Sequence, residues 1–201
     1  MAARIERVVT NGVFALDGGE WEVVNNTWLV GDDHEVILVD AAHDPEPLLA
    51  AVGGRRVRAI LCTHGHNDHI NAAVEVAAEA DAPVALHPAD TMLWELEYPD
   101  LRPDVELLDG ASFDVAGVTL GVLHTPGHTP GSVSIYAEGL SVVFTGDTLF
   151  RGRLGPAKRS FSDHSLLVRS VRDRLLVLPA LTVVHPGHGD DTTIAHEAHL
   201  A

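Results

Sequence analysis

The feature that most constrains this chain is a dense run of metal-ligand side chains, Thr63-His64-Gly65-His66-Asn67-Asp68-His69. Imidazole and carboxylate groups are ligands that suit zinc, iron or manganese. The run directly follows an apolar stretch that we predict to be a buried strand over residues 57–62. His64 and His66 are two residues apart, so in an extended turn both side chains point to one side. The run therefore predicts a metal site at a strand end, with a solvated polar loop as the alternative.

Three later segments carry further candidate ligands. His128 lies in residues 123–131, Asp147 in residues 144–148 and His188 in residues 184–190. Each segment follows a predicted strand and contains glycine, and functional residues concentrate in loops of this kind. Taken alone, each segment is equally compatible with an ordinary turn. Asp68 and His69 come one step after His66 and could face a second ion. Because four residues cannot complete the coordination of two ions, we expect the remaining ligands in these segments.

Short β-branched segments separated by glycine turns predict strands in both halves of the chain. Both halves run in the order strands, helix, strands, helix, and no linker divides them. We therefore predict a single α/β domain over residues 1–201, a four-layer αβ/βα sandwich. Turns are expected at Asn11-Gly12 and Asp17-Gly18-Gly19, and Ser162 is the expected cap of the last long helix. The predicted strands span residues 5–9, 13–16, 21–30, 35–40, 57–62, 83–86, 105–108, 113–115, 118–124, 132–136, 141–145 and 182–185, and the predicted helices span residues 45–52, 71–80, 87–96 and 163–178, with a short helix at the C-terminus.

The charge balance speaks against several classes of partner. The chain carries 29 acidic residues against 13 Lys and Arg, a formal net charge of -16, which disfavours a nucleic-acid backbone or an anionic membrane as partner. No apolar run reaches the roughly 18 residues needed to cross a bilayer. Cys62 is the single cysteine, so no intrachain disulfide is expected and a cytoplasmic location fits. The 13 histidines equal all Lys and Arg together, and bound cations would explain them.

The motif His64-x-His66-x-Asp68-His69, followed by His128, Asp147 and His188, resembles the metal motifs of the metallo-β-lactamase superfamily in order and spacing. The resemblance covers essentially the whole chain and implies a dinuclear site at the edge where two sheets meet. It implies that one ion is bound by His64, His66 and His128, and the other by Asp68, His69 and His188, with Asp147 as the bridge. Asp40, which ends a predicted strand, matches the first motif of the superfamily and would orient ligands without binding an ion.

The sequence around Asp147 indicates which branch of the superfamily the chain resembles. The run from Gly146 to Arg153 resembles glyoxalase II-like hydrolases, which implies hydrolysis of small-thiol thioesters by a hydroxide held between two divalent ions. Asp68 and Asp147 would then act as ligands that position the hydroxide. Zinc is the expected metal, with iron or manganese as alternatives. Only 13 residues follow His188, so we expect the glutathione-binding C-terminal domain of glyoxalase II to be missing, which leaves glutathione, mycothiol and coenzyme A open as carriers.

Other activities of the same fold stay open. One is a hydrolase of other ester, lactone or lactam bonds. Another is a mononuclear iron persulfide dioxygenase, a group that resembles these hydrolases in sequence but uses two histidines and one aspartate on iron. A non-catalytic metal-binding protein and a nuclease-like enzyme are further alternatives, although nucleases of this fold carry insertions that 201 residues do not accommodate. Metal content and oxygen uptake would separate the dioxygenase from the hydrolases.

The expected substrate is a small anionic thioester or ester, and the chain is expected to be a monomer or a dimer. A basic cluster follows Asp147, and a basic loop in an acidic protein would attract such a substrate. The alternatives are that these side chains pair with surface acids, that His164 only begins a helix and that Trp28 is a core residue. The candidate substrate residues are Arg151, Arg153, Lys158, Arg159, His164 and Trp28.

Overall fold

A long β-hairpin opens the chain in the computed structural model. Residues 2–200 are described, so Met1 and Ala201, the ends of the predicted domain, lie outside the described residues. Strands β1 (Arg4–Leu16) and β2 (Gly19–Gly31) are antiparallel, and Leu16 pairs with Gly19 across Asp17-Gly18. The φ values of 54° and 74° at Asp17 and Gly18 are those that a two-residue hairpin turn needs. The turn predicted at this position is confirmed.

The turn expected at Asn11-Gly12 was wrong. Both residues lie inside β1, where Asn11 pairs with Val24 and Gly12 with Val23. A Cβ atom on Gly12 would lie 2.3 Å from Nδ1 of His43. Glycine at position 12 therefore allows the His43 ring to approach the strand closely. A close approach of this kind is a common reason for glycine in a strand interior.

The first sheet has the strand order β1-β2-β3-β4-β5-β6. It continues from the hairpin through β3 (Glu35–Val39), β4 (Arg56–Leu61), β5 (Val84–Leu86) and β6 (Val105–Glu106). Neighbouring strands from β3 to β6 are parallel. The carboxyl ends of β3 and β4 therefore meet at one edge.

The second sheet has the strand order β14-β13-β10-β9-β8-β7. Its strands are β7 (Ser112–Val115), β8 (Val118–His124), β9 (Val133–Ala137), β10 (Val142–Gly146), β13 (Val183–Pro186) and β14 (Thr192–Thr193). Strands β10 and β13 are parallel, while β9 is antiparallel to both β8 and β10. Strands β8, β10 and β13 therefore end at one edge of this sheet. A small hairpin, β11 (Leu149–Phe150) and β12 (Arg153–Leu154), lies beyond β10.

Helices connect the parallel strands of the first sheet. Helix α1 (Pro45–Val52) matches the prediction, beginning at Asp44, whose side chain accepts a hydrogen bond from Glu46 N, and ending at Gly53 with φ 62°. The helix predicted over residues 71–80 is α3 (Ala73–Ala80), and a short helix that was not predicted, α2 (Asn67–Ile70), precedes it. A 3₁₀ turn (Pro88–Asp90) leads into α4 (Thr91–Glu97).

The long helix of the second half begins and ends differently from the prediction. Helix α5 (His164–Ser170) passes into a π-helical turn, Val171–Leu175. Its cap is Asp163, which accepts a hydrogen bond from Leu166 N, and the expectation of a Ser162 cap was wrong. The Ser162 hydroxyl instead donates to Arg159 O at 2.7 Å. Helix α6 (Ile194–Glu197) is the short C-terminal helix.

The apolar core lies between the two sheets, and the helices cover their outer faces. Trp28, Ile37 and Leu61 of the first sheet share one buried cluster with Leu120 and Phe144 of the second. The other face of the first sheet packs against α1 and α3, and the other face of the second packs against α5 and its π-helical turn. The predicted four-layer αβ/βα sandwich is confirmed. Among residues 2–200, no helix combines the length and the apolar character needed to cross a membrane.

Candidate metal centre

The carboxyl ends of four strands position the candidate ligands. His64 and His66 follow β4, and α2 carries Asp68 and His69 directly after them. The second sheet contributes one side chain after each of β8, β10 and β13. These three side chains are His128, Asp147 and His188. The packed sheets thus bring all seven predicted ligands to one edge of the sandwich.

Three imidazoles form the first group, which we call the three-histidine cluster (His64, His66 and His128). The distance from His66 Nδ1 to His64 Nε2 is 3.1 Å, and the distance to His128 Nε2 is also 3.1 Å. All three residues are buried. Such spacing among three nitrogens matches the ligands around one metal ion.

The second group contains a carboxylate, and we call it the Asp68 cluster (Asp68, His69 and His188). His69 Nε2 lies 3.2 Å from His188 Nε2 and 3.5 Å from Asp68 Oδ2. Asp68 Oδ2 lies 3.4 Å from His188 Nε2. These three donor atoms surround a second position that a metal ion could occupy.

Asp147 reaches both clusters. Its Oδ1 lies 3.4 Å from the Nε2 atoms of His69 and His188, and its Oδ2 lies 3.6 Å from His128 Nε2. Oδ1 is buried, yet it accepts no well-aligned hydrogen bond within residues 2–200. A buried carboxylate oxygen is normally satisfied, and a cation between these atoms would satisfy this one.

Partners on the outer side of the rings fix which nitrogen faces inward. Nδ1 of His128 donates to Pro156 O at 2.7 Å, and Nδ1 of His188 donates to Val24 O at 2.7 Å. Because a carbonyl oxygen only accepts, each Nδ1 carries a proton, and Nε2 is the ring nitrogen that faces the centre and would bind a metal ion. Rings held in this way are typical of metal-ligating histidines.

Asp40 holds the ring of His69 in the same manner. Its Oδ2 accepts from His69 Nδ1 at 2.9 Å and from the Thr63 hydroxyl at 2.7 Å, and its Oδ1 accepts from Thr63 N at 2.7 Å. Asp40 adopts a left-handed φ of 58° directly after β3. It contacts a candidate ligand without joining either cluster, as the resemblance implied for this residue.

The two clusters differ in how they bind protons. Burial and neighbouring imidazoles lower the pKa of His64 well below its usual value, and burial with the nearby His128 lowers the pKa of His66 to about 3. Burial opposes protonation of His69 and His188 as well, but the neighbouring carboxylates outweigh it. They raise the pKa of His69 to about 9 and that of His188 to about 11. The Asp68 cluster therefore stabilises positive charge more strongly than the three-histidine cluster does.

A cavity of about 250 Å³ opens over the candidate ligands. Arg153 and Arg159 lie in its wall. The guanidinium of Arg159 stacks 3.6 Å from the ring centre of Trp21, and that of Arg153 lies 4.2 Å from the ring centre of Phe150. The floor and wall consist of Phe14, Trp21, Val23, His66, Asp68, His128, Asp147, Phe150, Arg153, Pro156, Arg159 and His188.

Comparison with known proteins agrees with this geometry. The sequence profile described as the metallo-β-lactamase superfamily matches residues 21–188. The chain belongs to this superfamily. It is 38% identical over 152 residues to the probable metallo-hydrolase YqgX of Bacillus subtilis, covering 69% of this chain and 72% of that protein. It is 29% identical over 189 residues to the hydroxyacylglutathione hydrolase GloC of Haemophilus influenzae, covering 86% and 89%.

Solved structures of the superfamily share the whole architecture. BLEG-1, a B3 metallo-β-lactamase, matches with a TM-score of 0.78 and 32% identity, covering 94% of this chain and 96% of that one. TTHA1623 in a di-iron-bound form matches with a TM-score of 0.77 and 38% identity, covering 87% and 92%. The metallo-β-lactamase fold is thus shown at the level of both sequence and structure.

Four of the six predicted substrate residues lie outside the cavity that holds Arg153 and Arg159. Arg151 is exposed and lies 3.7 Å from Asp190. Lys158 is exposed, and His164 is the exposed first residue of α5. Trp28 lies in the core between the sheets, where its Nε1 donates to Pro186 O at 3.1 Å. Of the six candidates, only Arg153 and Arg159 line the cavity.

Other residues around the centre carry no strong signal in the sequence. Asn25 is buried in β2, and its Nδ2 donates to Asp68 O at 2.8 Å and Asp68 Oδ2 at 3.0 Å. The polar run Asn25-Asn-Thr inside an otherwise apolar strand was the available signal. Phe14 and Trp21 reach the cavity from the hairpin, and no local pattern marks them. Asp90 accepts hydrogen bonds from two ligand-bearing loops, and its sequence context gives no signal.

Proposed function

We propose that this protein is a dinuclear metallohydrolase that cleaves small anionic thioesters. The observation that carries the proposal is the position of Asp147, whose two carboxylate oxygens face different clusters. A carboxylate shared in this way could hold two closely spaced ions. The ordered imidazoles around it fit divalent metals because hydrogen bonds at Nδ1 of His128 and His188 leave Nε2 facing the centre.

Divalent ions at this centre would supply activated water at neutral pH and Lewis acidity toward a carbonyl oxygen. The chain's own residues do the remaining work. His128 and Asp147 lie in the cavity floor, so a substrate carbonyl seated there adjoins both clusters. Phe14 and Phe150 place apolar rings in the cavity wall, so a bound substrate would displace water from it. Low water content strengthens electrostatic interactions with a developing negative charge.

Arg153 and Arg159 are the proposed contacts for the anionic end of the substrate. Both guanidiniums lie against aromatic rings in the cavity wall, which limits their conformational freedom. A preorganised guanidinium recognises carboxylates well. The similarity to GloC, named a hydroxyacylglutathione hydrolase, supports a thioester of a small thiol as substrate.

The proposed metals are zinc or iron. Nitrogen and carboxylate ligands suit both elements, and the relative TTHA1623 has been crystallised in a di-iron-bound form. Zinc accords with the many imidazole ligands. Element analysis of the purified protein distinguishes the two.

The decisive experiment pairs metal analysis with a substrate panel. We expect about two divalent ions per chain, together with turnover of acyl thioesters of glutathione, mycothiol or coenzyme A. A β-lactam and a lactone belong in the panel because BLEG-1 is a B3 metallo-β-lactamase. A content near one iron per chain, with oxygen uptake on a persulfide and no hydrolysis, would overturn the proposal.

The arginine pair offers a matched test of substrate binding. Arg159→Gln is expected to raise KM for an anionic thioester about fivefold to tenfold, since a hydrogen bond to a charged group contributes about 1.5–3 kcal/mol before solvent screening. Arg151→Gln removes an equal charge outside the cavity and should leave KM unchanged. Equal KM values in the two variants would exclude Arg159 as a substrate contact.

A further inference from the structure

Asp90 is a fully buried carboxylate that touches neither metal cluster. It ends the 3₁₀ turn before α4. Its Oδ2 accepts hydrogen bonds from Gly65 N at 2.9 Å and from the Thr129 hydroxyl at 2.6 Å. Its Oδ1 accepts from Gly131 N at 2.5 Å. Three donors thus converge on one side chain, as many as converge on Asp40.

These donors belong to the two loops that supply the three-histidine cluster. Gly65 lies between His64 and His66, in the loop after β4 of the first sheet. Thr129 and Gly131 follow His128, in the loop after β8 of the second sheet. Asp90 therefore joins the two loops, and the backbone bond from Val133 N to Thr63 O at 2.8 Å crosses between the sheets beside it.

Both backbone donors are glycines, and the packing explains why. A Cβ atom on Gly131 would lie 2.6 Å from Asp90 Cγ, and one on Gly65 would lie 2.9 Å from Leu93 Cβ. Either side chain would force the loops away from the carboxylate. The local sequence is thus built around the position of Asp90.

Only a carboxylate satisfies this environment. Each of the three groups facing Asp90 donates a hydrogen, and an asparagine would place an amide donor against at least one of them. A buried donor left without an acceptor destabilises the arrangement around it. The backbone would shift to relieve the unpaired donor, and this shift would move the loops that carry His64, His66 and His128.

We propose that Asp90 is a positioning residue that fixes His64, His66 and His128 relative to one another for metal binding. The proposal rests on the proposed metal centre. Residues that orient metal ligands typically change affinity about 10- to 100-fold when they are replaced. The effect should fall on the three-histidine cluster, because Asp68, His69 and His188 make no hydrogen bond to Asp90 within residues 2–200.

The test is a titration of the metal-free protein with Co²⁺, followed by visible absorption and by competition with a chelator. Asp90→Asn is expected to weaken one of two binding steps about 10- to 100-fold and to alter the absorption bands of that step. The other step should stay within about twofold. In a His188→Ala background, which damages only the Asp68 cluster, the same substitution should weaken the surviving step.

Asp104→Asn is the matched control. Asp104 also accepts a backbone hydrogen bond, from Val84 N at 2.9 Å, but it does so at the amino end of β5, away from the metal centre. If Asp90→Asn and Asp104→Asn bind Co²⁺ alike, or if both steps weaken equally in Asp90→Asn, Asp90 is not a positioning residue. Failure of the unmodified protein to bind any Co²⁺ would instead defeat the metal centre itself, and this proposal with it.

A milder variant decides the matter if Asp90→Asn does not fold. Thr129→Val keeps the side-chain shape and removes the hydroxyl that donates to Asp90, which also lies 2.7 Å from Ser132 Oγ. We expect it to weaken the same Co²⁺ step severalfold while the thermal unfolding of the metal-free protein remains cooperative. Unchanged Co²⁺ binding in Thr129→Val would overturn the proposal.

Discussion

The two ligand clusters have different chemistry although they lie side by side. The three-histidine cluster contains only neutral donors, and its carboxylate support, Asp90, acts through the loops. The Asp68 cluster contains a carboxylate, and Asp40 contacts one of its rings directly. His188 is also less enclosed, with 21% of its side chain exposed, whereas His69 is fully buried. Metal binding at the three-histidine cluster thus depends mainly on the geometry of its rings, whereas metal binding at the Asp68 cluster depends more on charge.

The largest expected effect comes from Asp147, whose carboxylate reaches both clusters. Asp147→Ala should reduce thioester hydrolysis by more than about 100-fold, because it would remove a ligand from both ions. Replacing a residue that only orients a ligand typically costs about 10- to 100-fold. Steady-state kinetics measure the loss, and circular dichroism checks that the fold remains. Turnover equal to that of the unmodified protein would refute a bridging role.

Removing one ring from each cluster tests whether the clusters are independent. His188→Ala leaves the three-histidine cluster complete, so we expect about one ion per chain in place of about two. His66→Ala should spare the Asp68 cluster in the same way. Element analysis after dialysis gives the contents. Loss of both ions from either variant would show that the two positions bind cooperatively.

Asp40→Asn is expected to have a smaller effect, confined mainly to the Asp68 cluster. It replaces the carboxylate that accepts from His69 Nδ1 at 2.9 Å, and such a change weakens metal binding by about 10- to 100-fold. Chelator competition measures the affinity. Asp114→Asn serves as the control, since Asp114 accepts from the Thr119 hydroxyl on the exposed side of β7 and β8. Equal affinities in the two variants would contradict a role for Asp40.

The smallest effect should be a difference in pH dependence in the metal-free protein. His188 has a raised pKa of about 11, so its stabilising charge is present below about pH 6.5 and is lost as the pH rises through 11. His66 has a lowered pKa of about 3, so its contribution is lost as the pH falls from about 6.5 toward 3. Chemical unfolding of His188→Gln and His66→Gln with chelator present should therefore differ from the unmodified chain at opposite ends of the pH range. Parallel pH curves would remove this distinction between the clusters.

Much of the centre could be predicted because its signals are local. His64, His66, Asp68 and His69 form one short run, and the remaining ligands each follow a predicted strand in a glycine loop. Parallel strands end at the same edge of a sheet, which brings such loops together. Asp40 could be placed in the same way, since it ends a strand of the first sheet.

The cavity wall could not be predicted because it depends on contacts between distant segments. Phe14 and Trp21 reach it from the hairpin, and Arg159, more than a hundred residues later in the sequence, contacts both rings. Arg151 and Arg153 are two residues apart, yet only Arg153 faces the cavity, since the small hairpin of β11 and β12 decides their directions. Gly12 misled the turn prediction for a similar reason, because its role is set by His43.

Each metal cluster draws its ligands from both sheets. His64 and His66 come from the first half of the chain and His128 from the second, and the Asp68 cluster repeats this division with His188. An ion bound to either cluster would therefore act as a cross-link between the two halves. At a free concentration 100 times its Kd, one such ion would add about 2.7 kcal/mol to the stability of the folded chain. A shortage of metal would then destabilise the fold, and it would shorten the lifetime of the protein as well as reduce its catalytic activity.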